Sequence, residues 1–533
     1  MHATEAPLLR TTLHRAPMRT TLRFALQRVE CGFDAAFGAK ANPWRHLGGT
    51  AFFLFFVVAG TGAYLYAAFD TSLDGAYESV ERITRGAWPL SGVARSLHRY
   101  ASDAFVVVIF LHVLREWING HARGFRWYSW VSGVPLVWLV YASGLGGYWL
   151  VFDRLALWSL VATTEWLDAL PLFGGTLARN FIADGVTNRL FSLLIFLHIG
   201  IPLALLLGMW AHIQRISRPR TNPPRDVAFG LTAALLLLCL AKPVTSDAPA
   251  DLALAPTDVN PDWIYQAIHP LFYASSGTAL WIAAGVLTVA LVLLPWLPPT
   301  KRPPVARIDL ANCNGCGRCF ADCPYVAVTM RPRSDGRPLL REAVVDADLC
   351  AACGICAGAC PSSTPFRSGV ALVTGIDLPQ RPIGDVRDEL TRALADLRGA
   401  PRIVVFGCDC AADARALQAN DTAVLSLPCA AMWPPSFVEY ALRSGFDGVM
   451  IAGCRDGDCA YRLGNRWIEE RMRGTREPHL RGTVPIERVE TAWCGPFDGA
   501  ALARELARFR DRLGALPAAR FAAFKRGREV VDD

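Results

Sequence analysis

Apolar residues dominate the chain up to Leu297 in long uninterrupted runs, and beyond it they shorten and alternate with charged stretches. Six runs approach the ~20 apolar residues that a bilayer core demands. They lie at Leu47–Phe69, Leu97–Trp117, Tyr128–Phe152, Leu190–Ile213, Val227–Lys242 and Thr278–Leu297, the fifth being the shortest. From Pro401 onward the period changes. Short strands are expected at Arg402–Phe406, Ala423–Leu427, Gly448–Ala452 and Ile486–Thr491. Helices should follow them at Ala412–Ala419, Ser436–Ser444, Tyr461–Arg473 and Gly499–Leu513. Strands alternating with helices predict a parallel sheet. The fold class is therefore multidomain, an all-α transmembrane bundle of about six spans followed by soluble α+β and α/β parts.

Charge adds an orientation. Basic residues fill the N-terminal arm (Arg10, Arg15, Arg19, Arg23, Arg28), the second loop (His121, Arg123, Arg126), the fourth (Arg215, Arg218, Arg220, Arg225) and the linker (Lys301, Arg302, Arg307). The fifth loop holds Asp247, Asp251, Asp258 and Asp262 without Lys or Arg. The positive-inside rule then puts the N-terminus and everything after Leu297 in the cytoplasm, with the spans in the inner membrane. The net charge of +7 is accounted for by topology. No basic face with interleaved aromatics occurs, which excludes a nucleic-acid partner. The N-terminal arm has no apolar stretch of the kind a secretory signal carries.

Histidine is costly inside a bilayer and marks function there. His98 and His112 lie fourteen residues apart on the second run, and His198 and His212 repeat that interval on the fourth. Fourteen residues make about four turns, so each pair shares a face about 21 Å apart. The second and fourth spans run in the same direction, which matches His98 with His198 at the outer level and His112 with His212 at the inner one. Two bis-imidazole haem sites are expected. Gly48 and Gly62 on the first run, and Gly133 and Gly147 on the third, share the interval and would leave room for a flat porphyrin.

Over Pro43 to Pro298 the chain resembles the cytochrome b/b6 family. The matching text is HLGG at His46–Gly49, RSLHR at Arg95–Arg99, HVLR at His112–Arg115, GGYW at Gly146–Trp149 and PDWIY at Pro261–Tyr265. The resemblance implies that the four histidines ligate two b-type haems and that Arg95 and Arg115 neutralise haem propionates. PDWIY resembles the PEWY motif of an outer quinol site, which makes Asp262, Trp263 and Tyr265 the candidate catalytic residues. Asp262 has a shorter arm than Glu, and an extra residue precedes the tyrosine. The place of the cysteine that carries an additional haem in the b6 branch is held by His46, so that haem is not expected. The resemblance also implies a dimer.

Fourteen of the sixteen cysteines fall between Cys313 and Cys494. Residues Cys313–Pro324 read C-x-x-C-x-x-C-x-x-x-C-P, and Cys350–Pro361 repeat it. This is the bacterial two-cluster ferredoxin signature, in which the fourth cysteine crosses to the other cluster. One [4Fe–4S] cluster is expected on Cys313, Cys316, Cys319 and Cys360, the other on Cys350, Cys353, Cys356 and Cys323. Further cysteines follow the strand ends, where a parallel sheet gathers its ligands. GCDC and AGC-RDGDC at Ala452–Cys459 resemble the delta (iron–sulfur) subunit of methyl-viologen-reducing hydrogenases. That resemblance implies a [2Fe–2S] cluster on Cys429, Cys454, Cys459 and one of Cys408 and Cys410, with Cys494 near the ligands, and a flavoprotein as electron partner. No nucleotide-binding glycine fingerprint follows a predicted strand, so this chain should not bind NAD or flavin itself.

The expected order is a basic arm (1–46), a di-haem four-helix core (47–220), two further spans with the quinol-site-like loop (221–298), a linker (299–306), a small α+β ferredoxin-like domain (307–380) and an α/β domain (381–533). Function is expected to be that of a quinone-linked oxidoreductase subunit coupling the quinone pool to a cytoplasmic dehydrogenase or flavoprotein within a larger complex. The alternatives are a quinol-bifurcating subunit with a Rieske-type partner, and a membrane anchor with vestigial quinone chemistry.

Overall fold

The structure is a computed structural model, and it describes residues 17–86, 89–175, 177, 188–253, 259–297, 303–337, 341–367, 371–517 and 524. Arg10, Arg15, Asp258, Lys301 and Arg302 lie outside the described residues. The chain divides into two compact units, a helical one of residues 36–214 and 219–299, and a second of residues 1–35, 215–218 and 300–533.

Helix α1 (Pro17–Phe37) belongs almost wholly to the second unit. The helical unit contains α2 (Leu47–Ala68), α3 (Leu73–Arg85), α4 (Pro89–Asn119), α5 (Trp127–Trp149), α6 (Arg154–Asp168), α7 (Asn188–His212), α8 (Arg225–Ala241), α9 (Ile268–Ala274) and α10 (Gly277–Leu293). Helix α2 packs along α4, and α5 along α7. Among the described residues, four helical segments are long and apolar enough to cross a membrane: Pro43–Ala68, Gly124–Trp149, Phe191–His212 and Gly277–Trp296. The other two expected spans form helices of different character. Helix α4 has 31 residues but carries Arg95, Arg99, Asp103, Arg115 and Glu116, and α8 has only 17. Among the described residues of this unit, three helices were not expected. The amphipathic α3 is capped by the Ser72 hydroxyl, which accepts from the Gly75 N–H, and α6 by Asp153, which accepts from the Ala156 N–H. Helix α9 is a short turn of seven residues before α10.

The centre of the bundle has a layer built at regular spacing. Phe55, Phe105, Val140 and Leu205 are buried in one apolar cluster with Leu54, Ala101, Met209 and Leu235. Each of the first four stands seven residues from both members of its helix's fourteen-residue pair, so it projects from nearly the same face midway between them.

In the second unit, β1 (Arg307–Ile308) pairs antiparallel with β4 (Ile376–Asp377), and β2 (Val328–Pro332) with β3 (Arg341–Val345). Two five-residue helices, α11 (Arg318–Asp322) and α12 (Ile355–Ala359), follow Gly317 and Gly354. Those glycines take the same left-handed turn, φ 74° and 75°, which lets each C-x-x-C-G-x-C segment fold back on itself. After α13 (Ile383–Asp396) come β5 (Ile403–Cys408), β6 (Thr422–Leu427), α14 (Pro435–Ser444), β7 (Gly448–Gly453), α15 (Gly464–Met472), β8 (Val489–Trp493) and α16 (Gly499–Ala515). The strands form a parallel sheet in the order β6-β5-β7-β8. Two expectations shift. The helix expected at Ala412–Ala419 is a single 3-10 turn at Ala414–Leu417, because the cysteine loop after Cys408 uses up most of the short connection to β6. The last strand starts at Val489 because Pro485 opens a 3-10 turn over Ile486–Arg488.

A buried ion cluster ties the two cysteine-bearing parts of this unit together. The Arg471 guanidinium lies 2.5 Å from Asp322 and donates to the Ala431 carbonyl at 2.7 Å. Arg476 reaches the same carboxylate at 2.6 Å, and Trp467 donates to the Asp322 carbonyl at 3.1 Å. Removing one partner of such a pair strands a buried charge at a cost of about 3–5 kcal/mol. Asp322→Ala is therefore expected to lower the urea midpoint of the tryptophan fluorescence of this unit markedly, and the neutral double variant Asp322→Leu/Arg471→Met to lower it less. Equal loss in both would show that the ion pair does not hold these parts together.

Candidate functional sites: facing histidines and gathered cysteines

The four membrane histidines meet in the pairs their levels require. The rings of His98 and His198 lie 6.3 Å apart at an interplanar angle of 72°. An iron held by two imidazole nitrogens at about 2 Å would put the ring centres about 6 Å apart, so this pair fits an iron between them. His112 lies within electrostatic reach of His212 at the other level. In three of the four, Nδ1 has a partner that leaves Nε2 for a ligand. His98 Nδ1 meets the Val58 carbonyl at 3.0 Å and the Thr61 hydroxyl at 3.2 Å. His198 Nδ1 meets the Ser143 carbonyl at 2.9 Å, and His212 Nδ1 the Ser132 hydroxyl at 3.0 Å. Such partners orient a ligating ring and select its tautomer.

Each of the four spaced glycines backs one of these rings. A Cβ added to Gly48 would stand 3.5 Å from His112 Cε1, and one on Gly62 3.0 Å from His98 Cε1. On the facing pair of helices, Gly133 would come to 3.2 Å from His212 Cε1 and Gly147 to 3.0 Å from His198 Cε1. The interval thus makes room for the imidazoles themselves. Arg95 is buried, with its guanidinium on the Thr84 hydroxyl, on the Ser246 hydroxyl at 2.8 Å and 3.6 Å from Glu81. Arg115 is buried beside Glu116, at 3.9 Å.

Of the three PDWIY candidates, two face inward and one outward. Asp262 Oδ2 accepts from the N–H groups of Ile264 at 2.8 Å and Tyr265 at 2.6 Å, which closes the turn. Its other oxygen lies 2.5 Å from Arg99, and Arg99 also pairs with Asp103. Tyr265 is buried, with its hydroxyl 2.7 Å from that of Ser102 and its ring packed against Gly144. Trp263 is 74% exposed and does not join them. Arg99 and Asp103 went unnoticed in the sequence as site residues. The signal was present: opposite charges at i and i+4 inside a membrane helix, next to a histidine.

Cys313, Cys316, Cys319 and Cys360 line one small cavity together with Gly315, Met330 and Ile376. Burial and the neighbouring thiols push Cys319 up to about 12, and a bound metal centre would displace its proton. Cys353 lies within reach of Cys323 and Cys350, and burial raises its thiol further still. Cys356 is close to the same three and to Cys319 of the first set.

A third gathering sits at the C-terminal edge of the parallel sheet. The sulfurs of Cys408 and Cys454 are 3.9 Å apart, Cys454 neighbours Cys459, and Cys459 neighbours Cys429. Cys410 joins through Cys408, and the sulfurs of both approach the Pro428 carbonyl, at 3.6 Å and 3.8 Å. Gly464 leaves the space: a Cβ there would run into the Cys429 sulfur and come within 3.3 Å of that of Cys459. All five thiols therefore share one place. Cys494 does not, being packed in the apolar core with Ile403, Met450 and Leu506. The second and third gatherings adjoin, because the turn at Gly354–Gly358 packs on Ala431 and Met432, which follow Cys429.

Comparison with known proteins agrees with this division. The family model for cytochrome b/b6/petB matches residues 34–218, that for a 4Fe-4S dicluster domain residues 312–364, and that for the methyl-viologen-reducing hydrogenase delta subunit residues 400–516. Cytochrome b6 of Heliomicrobium gestii is 31% identical over 181 residues, covering 32% of this chain and 84% of the relative. Cytochrome b of Rhodospirillum rubrum is 25% identical over 332 residues, covering 54% of this chain and 81% of its own length. Cytochrome b/c1 of Bradyrhizobium diazoefficiens is 26% identical over 293 residues, covering 49% of this chain and 42% of its own. Among solved structures, a chain of a hyperthermophilic respiratory Complex III matches with a TM-score of 0.41 at 18% identity, over 48% of this chain and 77% of that one. The chain belongs to the cytochrome b/b6 family, continued in the same polypeptide by a 4Fe-4S dicluster domain and a hydrogenase-delta domain.

Proposed function

We propose that this membrane electron-transfer subunit exchanges electrons between a quinone pool and a cytoplasmic flavoprotein or dehydrogenase. The reading has six spans in the inner membrane, with the N-terminus and the cysteine-bearing unit in the cytoplasm. The observation that carries it is the set of facing histidines, each backed by glycine, at two levels of one bundle. His98 with His198 would hold the outer of two b-type haems and His112 with His212 the inner one, while Arg95 and Arg115 are buried cations suited to propionates. The two ferredoxin cysteine sets would each hold a [4Fe–4S] cluster and the sheet-edge thiols a [2Fe–2S] cluster. When bound, such groups take up and release single electrons.

The residues at the outer level have a proton to manage. Arg99 stands between Asp103 and Asp262, so the cluster has one carboxylate more than it has cations and can hold one proton. Asp262 is favoured as its carrier toward quinol because it sits on the turn at the end of this network, although its two backbone hydrogen bonds must loosen for it to act. The buried Tyr265 hydroxyl, whose ionisation burial suppresses, can relay a hydrogen bond through Ser102. The same network supports the second reading, a bifurcating outer site with a Rieske-type partner.

Quinol-driven reduction of the haems and clusters in purified complex tests the function directly. Asp262→Asn is expected to slow it about 100-fold, the usual scale of a general base, with haem spectra unchanged; an unchanged rate would move quinone chemistry away from this turn. Gly133→Val places methyl groups where the His212 ring packs. Pyridine haemochrome assay should then show haem per chain falling by about half, and an undiminished content would refute the glycine-backed inner site.

A further inference from the structure

Helix α1 buries a polar face. Arg23, Gln27, Glu30, Cys31 and Asp34 recur at helical spacing and so share one side. Gln27 and Glu30 are nearly inaccessible, whereas Met18, Phe24 and Val29 are exposed. The polar face lies on the two loops that follow β7 and β8. Arg455, the residue after Cys454, brings its guanidinium to 3.1 Å from the Cys31 sulfur and 3.7 Å from both Glu30 and Asp34. The same guanidinium holds Asp458, the residue before Cys459, at 2.9 Å. Gln27 donates to Asp498 at 2.6 Å, and Phe24 meets Phe497 edge-on at 5.8 Å. Gly495 keeps this junction open, since a Cβ there would come within 3.0 Å of Arg455 Nε and 3.1 Å of Gln27 Nε2. Arg23 is half-buried one helical turn before Gln27 on this same face, near enough to Cys410, Cys454 and Asp458 for their charges to act on it.

We propose that α1 is a built-in cover for the third cysteine site, ordering the Cys454–Cys459 loop through Arg455 and holding Arg23 as a fixed cation beside Cys410 and Cys454. The inference rests on the reading of those thiols as ligands of a [2Fe–2S] cluster. A thiolate-held cluster gains one negative charge on reduction, so a neighbouring cation stabilises the reduced form. Arg23 is a positioning residue, because it would act through the charge of the ligands and meets no reacting substrate. The arginines of this arm otherwise read as topology signals, and the inward turn of Arg23 gives one of them a second task.

The full chain in detergent, with variants Arg23→Gln, Arg23→Lys and Glu30→Lys, tests this by EPR-monitored redox titration and by hydrogen exchange of residues 17–37. Arg23→Gln is expected to disfavour reduction of the [2Fe–2S] centre about tenfold, equivalent to about 59 mV for one electron, and Arg23→Lys to restore it. Wild-type α1 should be protected from exchange, and Glu30→Lys, which sets a second cation against Arg455, should release it. An unchanged potential in Arg23→Gln, loss of the centre in both Arg23 variants, or an unprotected α1 in the wild type would each overturn the cover. Absence of any [2Fe–2S] signal in the wild type would instead overturn the cluster reading on which it stands.

Discussion

An imidazole projecting from one helix toward the centre of a bundle needs the neighbouring helix to give way, and glycine is what lets it. Fourteen residues of α-helix advance about 21 Å and return to nearly the same face, so one interval repeated on four helices creates two such openings on each side of the bundle. Gly62 and Gly48 open α2 to His98 and His112, and Gly147 and Gly133 open α5 to His198 and His212. The seven-residue midpoints then carry the bulk that the glycines lack. Phe55, Phe105, Val140 and Leu205 fill the level between, with the Phe55 and Phe105 rings 6.3 Å apart. The helix pairing, the two levels and the apolar layer separating them all follow from this one spatial requirement.

The second unit meets a different requirement, the burial of many thiols close together without leaving their neighbours unpaired. Its sheet delivers cysteines to one edge, and the ferredoxin turn at Gly354–Gly358 packs on the same edge. Cys353 consequently neighbours Cys429, and Cys356 neighbours Cys319, which sets the three gatherings in a row with the Cys350 set in the middle. The buried Arg471–Asp322 pair joins the two cysteine-bearing parts, beside buried apolar residues such as Ile355, Leu378 and Met432. Helix α1 extends the same pattern, since Gln27 and Cys31 make polar contacts beside the Phe24–Phe497 ring pair.

Much of this was legible along the chain. The cysteine repeats, the histidine and glycine intervals and the βα alternation are local or periodic, and a period survives folding because helix and strand geometry preserve it. Charged helices were harder to read. Helix α4 reads as a membrane run only between its charges; α3 is largely polar and α6 is only 15 residues long, so neither stands out as a span. The connection after β5 has helical propensity, yet the Cys408–Cys410 loop leaves it room for one 3-10 turn.

The sequence by itself determined which residue types recur and at what interval, because covalent spacing and helical pitch leave no freedom there. Only the tertiary structure decided which of them meet. Gly62 faces His98, Arg99 bridges Asp103 to Asp262, Trp263 turns outward, Cys494 leaves the other thiols, and Arg455 reaches Cys31, 424 residues away in the chain. Those choices depend on packing between segments remote in sequence, where burial and charge pairing select one arrangement from many that the same local pattern permits.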